Sequence, residues 1–334
     1  MIEPMRTLIL GGTVFLSRTV AETAVRRGHE VVCANRGQTG SAPAGASLVT
    51  IDRNDRDTLR ALADHHFDAV VDVALYSYPW VADALAALAD RAAHWTFVSS
   101  VSVYSDETTL GQDASAPVVT PSQTQGDVSD PELYGAVKVA GENAVRDTIG
   151  DRAFIVRPGL ITGPGDKSDR FGYWPARFSQ GGRALVPADT TRLAQLIDVR
   201  DLAEWIVTAA EERLTGTFDA VDPARPLDTL LREVATLAGP NTDLELVTAT
   251  DEQLVAAGVQ HWSGPKSLPL WVPDELAGLG AHDPSASLAA GLTIRPLADV
   301  VAGALARERE LGLHRERRSG LSAAEEAEVL ASLA

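Results

Sequence analysis

The sequence predicts an α/β fold, a doubly wound parallel sheet joined to a smaller, mixed α/β C-terminal region. Three observations predict it. Short apolar runs alternate with amphipathic stretches through the first half of the 334 residues. A glycine turn, Gly11-Gly12-Thr13, joins the first apolar run to the first helical stretch. After about residue 160 the alternation gives way to a less regular texture, with no linker between the two parts.

Residues 7–10 are the first strand. Phe15, Leu16, Val20, Ala24 and Val25 then recur at helical spacing, and Gly28 stops that helix. Residues 29–34, 48–51, 68–73 and 95–98 read as strands two to five, with helices at 58–63 and 81–88. Residues 106–130 are rich in Thr, Ser, Gln, Asp and Pro and predict a long loop. A helix over 131–148 and a sixth strand at 153–156 follow. Beyond them, 163–172 reads as loop, 193–197 as strand and 202–212 as helix. Residues 217–221 and 244–247 read as strands, 258–287 as irregular cover, and 297–311 and 323–333 as helices. The last helix is acidic outside and apolar inside, which suits docking on the body or on a second subunit of a homodimer. The expected division is a sheet domain at 1–160, with a later contribution from about 190–215, and a second domain at 161–334.

Lys+Arg 29 against Asp+Glu 46 gives 29 − 46 = −17. A surface that acidic repels nucleic acid and anionic membrane, so the expected partner is a small molecule. No apolar stretch reaches the roughly 18 residues of a membrane span, and no basic-plus-apolar leader precedes the first strand. The reading is a cytoplasmic protein. The lone cysteine, Cys33, lies in an apolar run and reads as a buried small hydrophobe. The histidines at 29, 65, 66, 94, 261, 282 and 314 show no metal-ligand spacing, so no metal is expected. Lysine occurs only at 138, 167 and 266.

The glycine turn resembles one that carries a dinucleotide pyrophosphate on a helix N-terminus. Gly11, Thr13, Val14, Phe15 and Leu16 are its candidate contacts. The G-x-x-G-x-x-G spacing fails twice, at Val14 and at Ser17. Small Ser17 can still allow close helix–sheet packing, whereas branched Val14 stands where a ligand should approach. The second strand ends in Asn35-Arg36 with no acid for a ribose 2′-hydroxyl. The planar fork of Arg36 suits a 2′-phosphate, so NADP(H) is expected over NAD(H). Asp52 can accept from an adenine amino group, and Arg53 can stack on the ring; both are equally plain turn residues. Tyr134 and Lys138 lie four apart on one face of a predicted helix. An ammonium held near a phenol favours the phenolate and lowers a pKa that is otherwise about 10. Ser100, just past the fifth strand, supplies a hydroxyl where crevice ligands bind, with Ser99 and Ser102 as rivals.

Together, Gly11-Gly12-Thr13, Asn35-Arg36, Phe97-Val-Ser-Ser-Val-Ser-Val-Tyr104 and Tyr134-x-x-x-Lys138 resemble the extended short-chain dehydrogenase/reductases. The nearest group is the NAD-dependent epimerase/dehydratases. Arg157-Pro158-Gly159, Gly163-Pro164-Gly165 and Ile197-Asp198-Val-Arg-Asp201 resemble its later blocks, and the likeness spans about residues 7 to 215. The resemblance implies a Rossmann-type sheet with a C-terminal substrate-binding domain. It implies that Tyr134 moves the proton, Lys138 holds the nicotinamide ribose and lowers the Tyr134 pKa, and Ser100 binds the substrate oxygen. It also implies that Ala74 lies along the cofactor and that Pro158 and Gly159 flank the nicotinamide. Dehydratases of this superfamily carry an acidic pair after the catalytic hydroxyl. Here Val101 and Ser102 stand there, against water elimination.

Tyr76, Ser102, Tyr173, Trp174 and Arg177 are further candidates for substrate contact, with core packing the competing role. Trp262 and Trp271 either line a pocket or simply pack. The expected activity is NADP(H)-dependent reduction of a small-molecule carbonyl or oxidation of an alcohol. The first alternative is a sugar-nucleotide epimerase with tightly held cofactor. The second is a regulatory protein that binds NADP without turnover. The RNA-binding role of some relatives is disfavoured by the charge of −17.

Overall fold

Strands that are apolar along their whole length need helices on both faces. The computed structural model describes residues 3–124, 131–188, 191–239 and 243–333, and it shows that arrangement. The strands are β1 (Arg6–Leu10), β2 (Glu30–Asn35), β3 (Ala46–Thr50), β4 (Phe67–Asp72), β5 (Ala92–Val98) and β6 (Ala153–Pro158). The strand Gly216–Ala220 joins beyond β6. The seven-stranded sheet is parallel throughout and runs Gly216–Ala220, β6, β5, β4, β1, β2, β3. The helices are α1 (Phe15–Arg26), α2 (Tyr78–Leu88), α3 (Pro131–Ile149), α4 (Arg170–Phe178), α5 (Val199–Glu211) and α6 (Leu227–Ala238). α1 and α5 bury one face of the sheet, α2 and α3 the other. Chain order reverses at β1, which has β2 on one side and β4 on the other. That reversal opens a crevice beyond the carboxyl ends of the strands.

The second half has its own core. α4, α6 and the helix Leu297–Leu311 pack around Trp174, Phe178, Leu230 and Val301. A parallel strand pair, Arg183–Pro187 with Glu245–Ala249, lies beside them. The helix Ala323–Ser332 docks on this body: Glu326 accepts from Arg177 Nε at 2.6 Å and from the Leu185 amide at 3.0 Å.

Here the structure departs from the sequence reading. Residues 163–172, read as loop, run into α4 at Arg170, and that helix carries Pro175 inside it. Tyr173 and Trp174 are 2% and 0% exposed, and the Trp174 indole donates to the Pro269 carbonyl at 2.9 Å. Arg177 is spent on Glu326 and on the carbonyls of Gly181 and Arg183. The three expected substrate contacts are therefore core and bracing residues. Their burial against distant segments overrides the loop signal of the flanking glycines. α6 and the strand Arg183–Pro187 have no counterpart in the sequence reading. Yet Leu227, Leu230, Leu231, Val234, Ala235 and Ala238 bury one helical face of α6. The expected loop at 106–130 is irregular as far as residue 124, and its end lies outside the described residues.

Candidate active site

The turn after β1 is shaped by Gly12. At φ +91° a side chain is strained, and a Cβ would stand 2.3 Å from Cys33 Sγ. Buried Cys33 is thus the floor of the turn, its thiol pushed up to about 11 by burial. Ser17, at the third glycine position, is buried and donates to the Val14 carbonyl at 2.8 Å. Its hydroxyl is satisfied within the helix, so the position packs closely without a glycine. Val14 and Phe15 line the cleft where α1 begins. Phe15 opens that helix at φ 43°, a strain on the order of 1–3 kcal/mol for a side chain. No side chain caps α1 and no acid stands in its first turn, so its N-terminal amides are left to a ligand.

A crevice of about 440 Å³ runs from this turn across the ends of β2, β3 and β4. Gly11, Thr13, Val14, Asn35, Arg36, Asp52, Arg53 and Ala74 all line it. Asn35 braces the turn: its amide donates to the Gly11 carbonyl at 2.6 Å, and its oxygen accepts from the Gly37 amide at 2.8 Å. Arg36 is exposed and makes no hydrogen bond or ion pair among the described residues. Arg53 is already committed. It grips Asp72 through two bonds of 2.6 and 2.9 Å and lies over the Trp80 ring. The Arg53 guanidinium, expected free to meet a ligand, is held by this ion pair while it still lines the crevice. The uncapped helix and the unpartnered Arg36 fit a dinucleotide, with its pyrophosphate at Val14–Leu16.

A second cleft of about 660 Å³ continues from Val14, Phe15 and Leu16 into the C-terminal half. Ser100, Ser102, Tyr76, Tyr134, Lys138, Pro158 and Gly159 line it. Ser100 begins a short turn after β5; its Oγ accepts from the Ser102 amide at 3.1 Å and donates to the Ser102 hydroxyl at 3.1 Å. Tyr134 is held on α3, with the Tyr76 ring 5.2 Å from its own. Burial pushes the Tyr134 phenol up to about 12, while the Ser100 hydroxyl and the Arg170 guanidinium pull it back. Lys138 is 1% exposed, its pKa brought down to about 7 by burial. Its ammonium donates to the carbonyls of Ala74 and of Val98, the latter at 2.7 Å. It sits 5.7 Å from the Tyr134 ring centre. In the free protein burial thus raises the Tyr134 pKa, and the groups that lower it are Ser100 and Arg170 and not the expected Lys138.

The far wall comes from residues the sequence reading did not select. Asp166, Lys167, Arg170, Gln195, Leu270, Val272 and Arg318 line the cleft with Trp262, the one of the two open tryptophans that reaches it. Trp271 is core, its indole donating to Asp251 at 3.0 Å. A signal for the wall was present in one place. Lys167 is one of three lysines and follows the Gly163-Pro164-Gly165 turn.

Comparison with known proteins now bears on this geometry. The family model described as NAD dependent epimerase/dehydratase family matches residues 7–218. A putative epimerase from Burkholderia cenocepacia superposes with a TM-score of 0.65 at 20% identity, over 91% of this chain and 98% of that one. The Bordetella bronchiseptica enzyme WbmG, solved with NAD and UDP, gives 0.66 at 17% identity, over 93% and 97%. The UDP-N-acetylglucosamine 4-epimerase of Bacillus cereus gives 0.64 at 18%, over 91% and 99%. No curated protein matches the chain in sequence.

Proposed function

The chain belongs to the NAD dependent epimerase/dehydratase family, and from that premise we propose that it is a sugar-nucleotide epimerase that retains its nicotinamide cofactor through turnover. As a member it is an NAD(P)-dependent enzyme of the short-chain dehydrogenase/reductase type, and the finer reading rests on its own residues. The observation that carries it is the Ser100–Tyr134 pair in the 660 Å³ cleft with no carboxylate in the two positions after Ser100. Such a site moves a proton at a carbinol oxygen and carries Val101 and Ser102 where dehydratases of the superfamily carry their acidic pair. The epimerases of similar fold support this alternative over a simple ketoreductase.

Val14–Leu16 amides would hold the pyrophosphate, Arg36 the adenosine end, and Lys138 the nicotinamide ribose. A bound nicotinamide supplies reversible hydride acceptance. Ser100 donates to the substrate oxygen and fixes its position. Tyr134 takes the hydroxyl proton and gives it back, with Ser100 and Arg170 as the groups that ease its ionisation. The cleft's apolar lining, from Val14 to Leu270, limits water around the transferred atoms.

The test is to denature the purified protein, assay the released nicotinamide, and incubate intact protein with UDP-glucose or UDP-N-acetylglucosamine without added cofactor. Bound cofactor and inversion without net redox change are expected. Protein that arrives empty and, supplied with NADPH and a small carbonyl compound, oxidises one NADPH for each carbonyl reduced would replace the proposal with a second reading, a carbonyl reductase. Unpartnered Arg36 favours that second reading, as does a Tyr134 that keeps its proton at neutral pH.

A further inference from the structure

Among the described residues Arg53, Arg170, Arg307, Arg315 and Arg317 bury an Nε that meets no acceptor. All but Arg170 pair with a carboxylate through another guanidinium nitrogen. Arg170 is the exception, with no ion pair and no hydrogen bond through its guanidinium among the described residues. Arg170 is half-buried, and leaving its buried Nε unsatisfied is costly, so the group points to a partner that arrives with a ligand.

The surroundings say where that partner sits. The Arg170 guanidinium lies 5.0 Å over the Trp262 ring, a contact that covers one side of it. It lines the same cleft as Ser100 and Tyr134, and its charge is felt first by the Asp166 carboxylate and then by Tyr134 and Tyr76. The neighbouring acid, Asp166, is turned to its own loop: its two oxygens accept from the Ser168 amide at 2.7 Å and the Ser168 hydroxyl at 3.1 Å. Exposed Lys167 and Arg318 stand on the same wall, in a chain whose net charge is −17. The positive cleft is thus a local inversion of the surface charge, and it is aimed at an anion.

We propose that Arg170 receives a carboxylate borne by the substrate close to the carbon on which Ser100 and Tyr134 act. A planar fork with its face covered offers its edge, and a carboxylate matches that edge with two parallel bonds. Resting on the function proposed above, the substrate is a sugar nucleotide whose sugar carries an acid group. Arg170 then sets specificity at the sugar, apart from any contact made by the nucleotide's diphosphate.

Calorimetric titration of the NAD-loaded protein with two matched pairs tests this. UDP-glucuronate and UDP-glucose differ only by a carboxylate in place of a hydroxymethyl group; free glucuronate and glucose form the second pair. The acid should bind about tenfold to a hundredfold tighter than its neutral partner. Arg170→Gln should erase that preference, weakening the acid about tenfold or more and its neutral partner by less than about threefold, and Arg170→Lys should restore only part of it. Equal weakening of UDP-glucuronate and UDP-glucose by Arg170→Gln would mean that the guanidinium reads the diphosphate, and the inference falls while the epimerase reading stands. Equal binding of acid and neutral partners by the wild type overturns it as well. Preference for free glucuronate with no binding of either nucleotide would keep the role of Arg170 and sink the sugar-nucleotide reading. If none of the four binds, both fall.

Discussion

On the adenosine side of the cleft every lining residue falls between Leu10 and Trp80. The substrate side gathers its lining from stretches as far apart as Val14 and Arg318. The first side offers mainly what backbone offers, a glycine turn and the open end of α1. The second offers side chains brought together only by the tertiary fold. A site of the first kind fails when a side chain is added, and one of the second kind when a side chain is removed.

The largest expected effect therefore comes from the substrate side. Tyr134→Phe should lower kcat by about 10²- to 10⁴-fold, the usual worth of a positioned proton donor. Circular dichroism and calorimetric cofactor binding should stay as in the wild type, since the ring remains against Tyr76. Turnover within tenfold of the wild type would remove Tyr134 from the chemistry. On the adenosine side the matching test adds an atom. Gly12→Ala puts a methyl 2.3 Å from Cys33 Sγ at φ +91°, and should cost about 1–3 kcal/mol in denaturant unfolding along with cofactor affinity. Cys33→Ala in the same chain should return part of the stability but not all, because the backbone strain remains. A Gly12→Ala protein with unchanged midpoint and affinity would show that the turn is looser than its geometry.

The same contrast explains what was legible in the sequence. β1 to β6 follow short apolar runs, and Gly11, Asn35, Ser100 and the Tyr134–Lys138 spacing follow local rules that hold in any parallel sheet of this kind. Each of these residues lines or braces the cleft. Arg170 and Arg318 follow no local rule, and nothing near them in sequence says they line the cleft of Tyr134. Tyr173 and Trp174 failed as substrate contacts for a related reason. An aromatic at the edge of a cover segment packs as readily inward as toward a ligand, and the Pro269 carbonyl that claims the Trp174 indole is 95 residues away. Charge pairing is hidden in the same manner: Arg53 looks free beside Asp52 in sequence, but Asp72 already holds it.

Arg36 sharpens the comparison with a smaller effect, because it is the adenosine side's one exposed cation without a partner among the described residues. Arg36→Ala should weaken NADPH binding about tenfold and leave NADH binding within about twofold, measured by calorimetry side by side. Equal loss for both cofactors would place Arg36 on the shared adenosine and remove the argument for NADP. No change for either would make it a solvated surface residue.

The smallest effect is expected at the seam between the two sides. Asp219, on the seventh strand, accepts from the Tyr104 hydroxyl at 2.6 Å. Tyr104 in turn accepts from Arg157 at 3.0 Å, and Arg157 is doubly bonded to Glu142. From the C-terminal half the His282 ring stacks 4.9 Å from that of Tyr104, and the Ser287 hydroxyl donates to the Asp219 carbonyl. Burial outweighs these partners and pushes the Asp219 carboxyl up to about 6, against about 3.9 in an unfolded chain. The folded state then binds the proton more tightly than the unfolded one. Its stabilising contribution is full below about pH 4 and is lost as pH rises through about 6. Asn at this position keeps an oxygen for Tyr104 and no longer ionises. The melting temperature of Asp219→Asn should gain on the wild type by about 2 °C or more between pH 4 and 7. Asp222, also raised to about 6 by burial, is present in both proteins and largely cancels from the difference. A difference that falls with pH would mean that Arg157, through Tyr104, holds the Asp219 carboxylate charged, so that the seam is sealed by an ionised network and not by a protonated one.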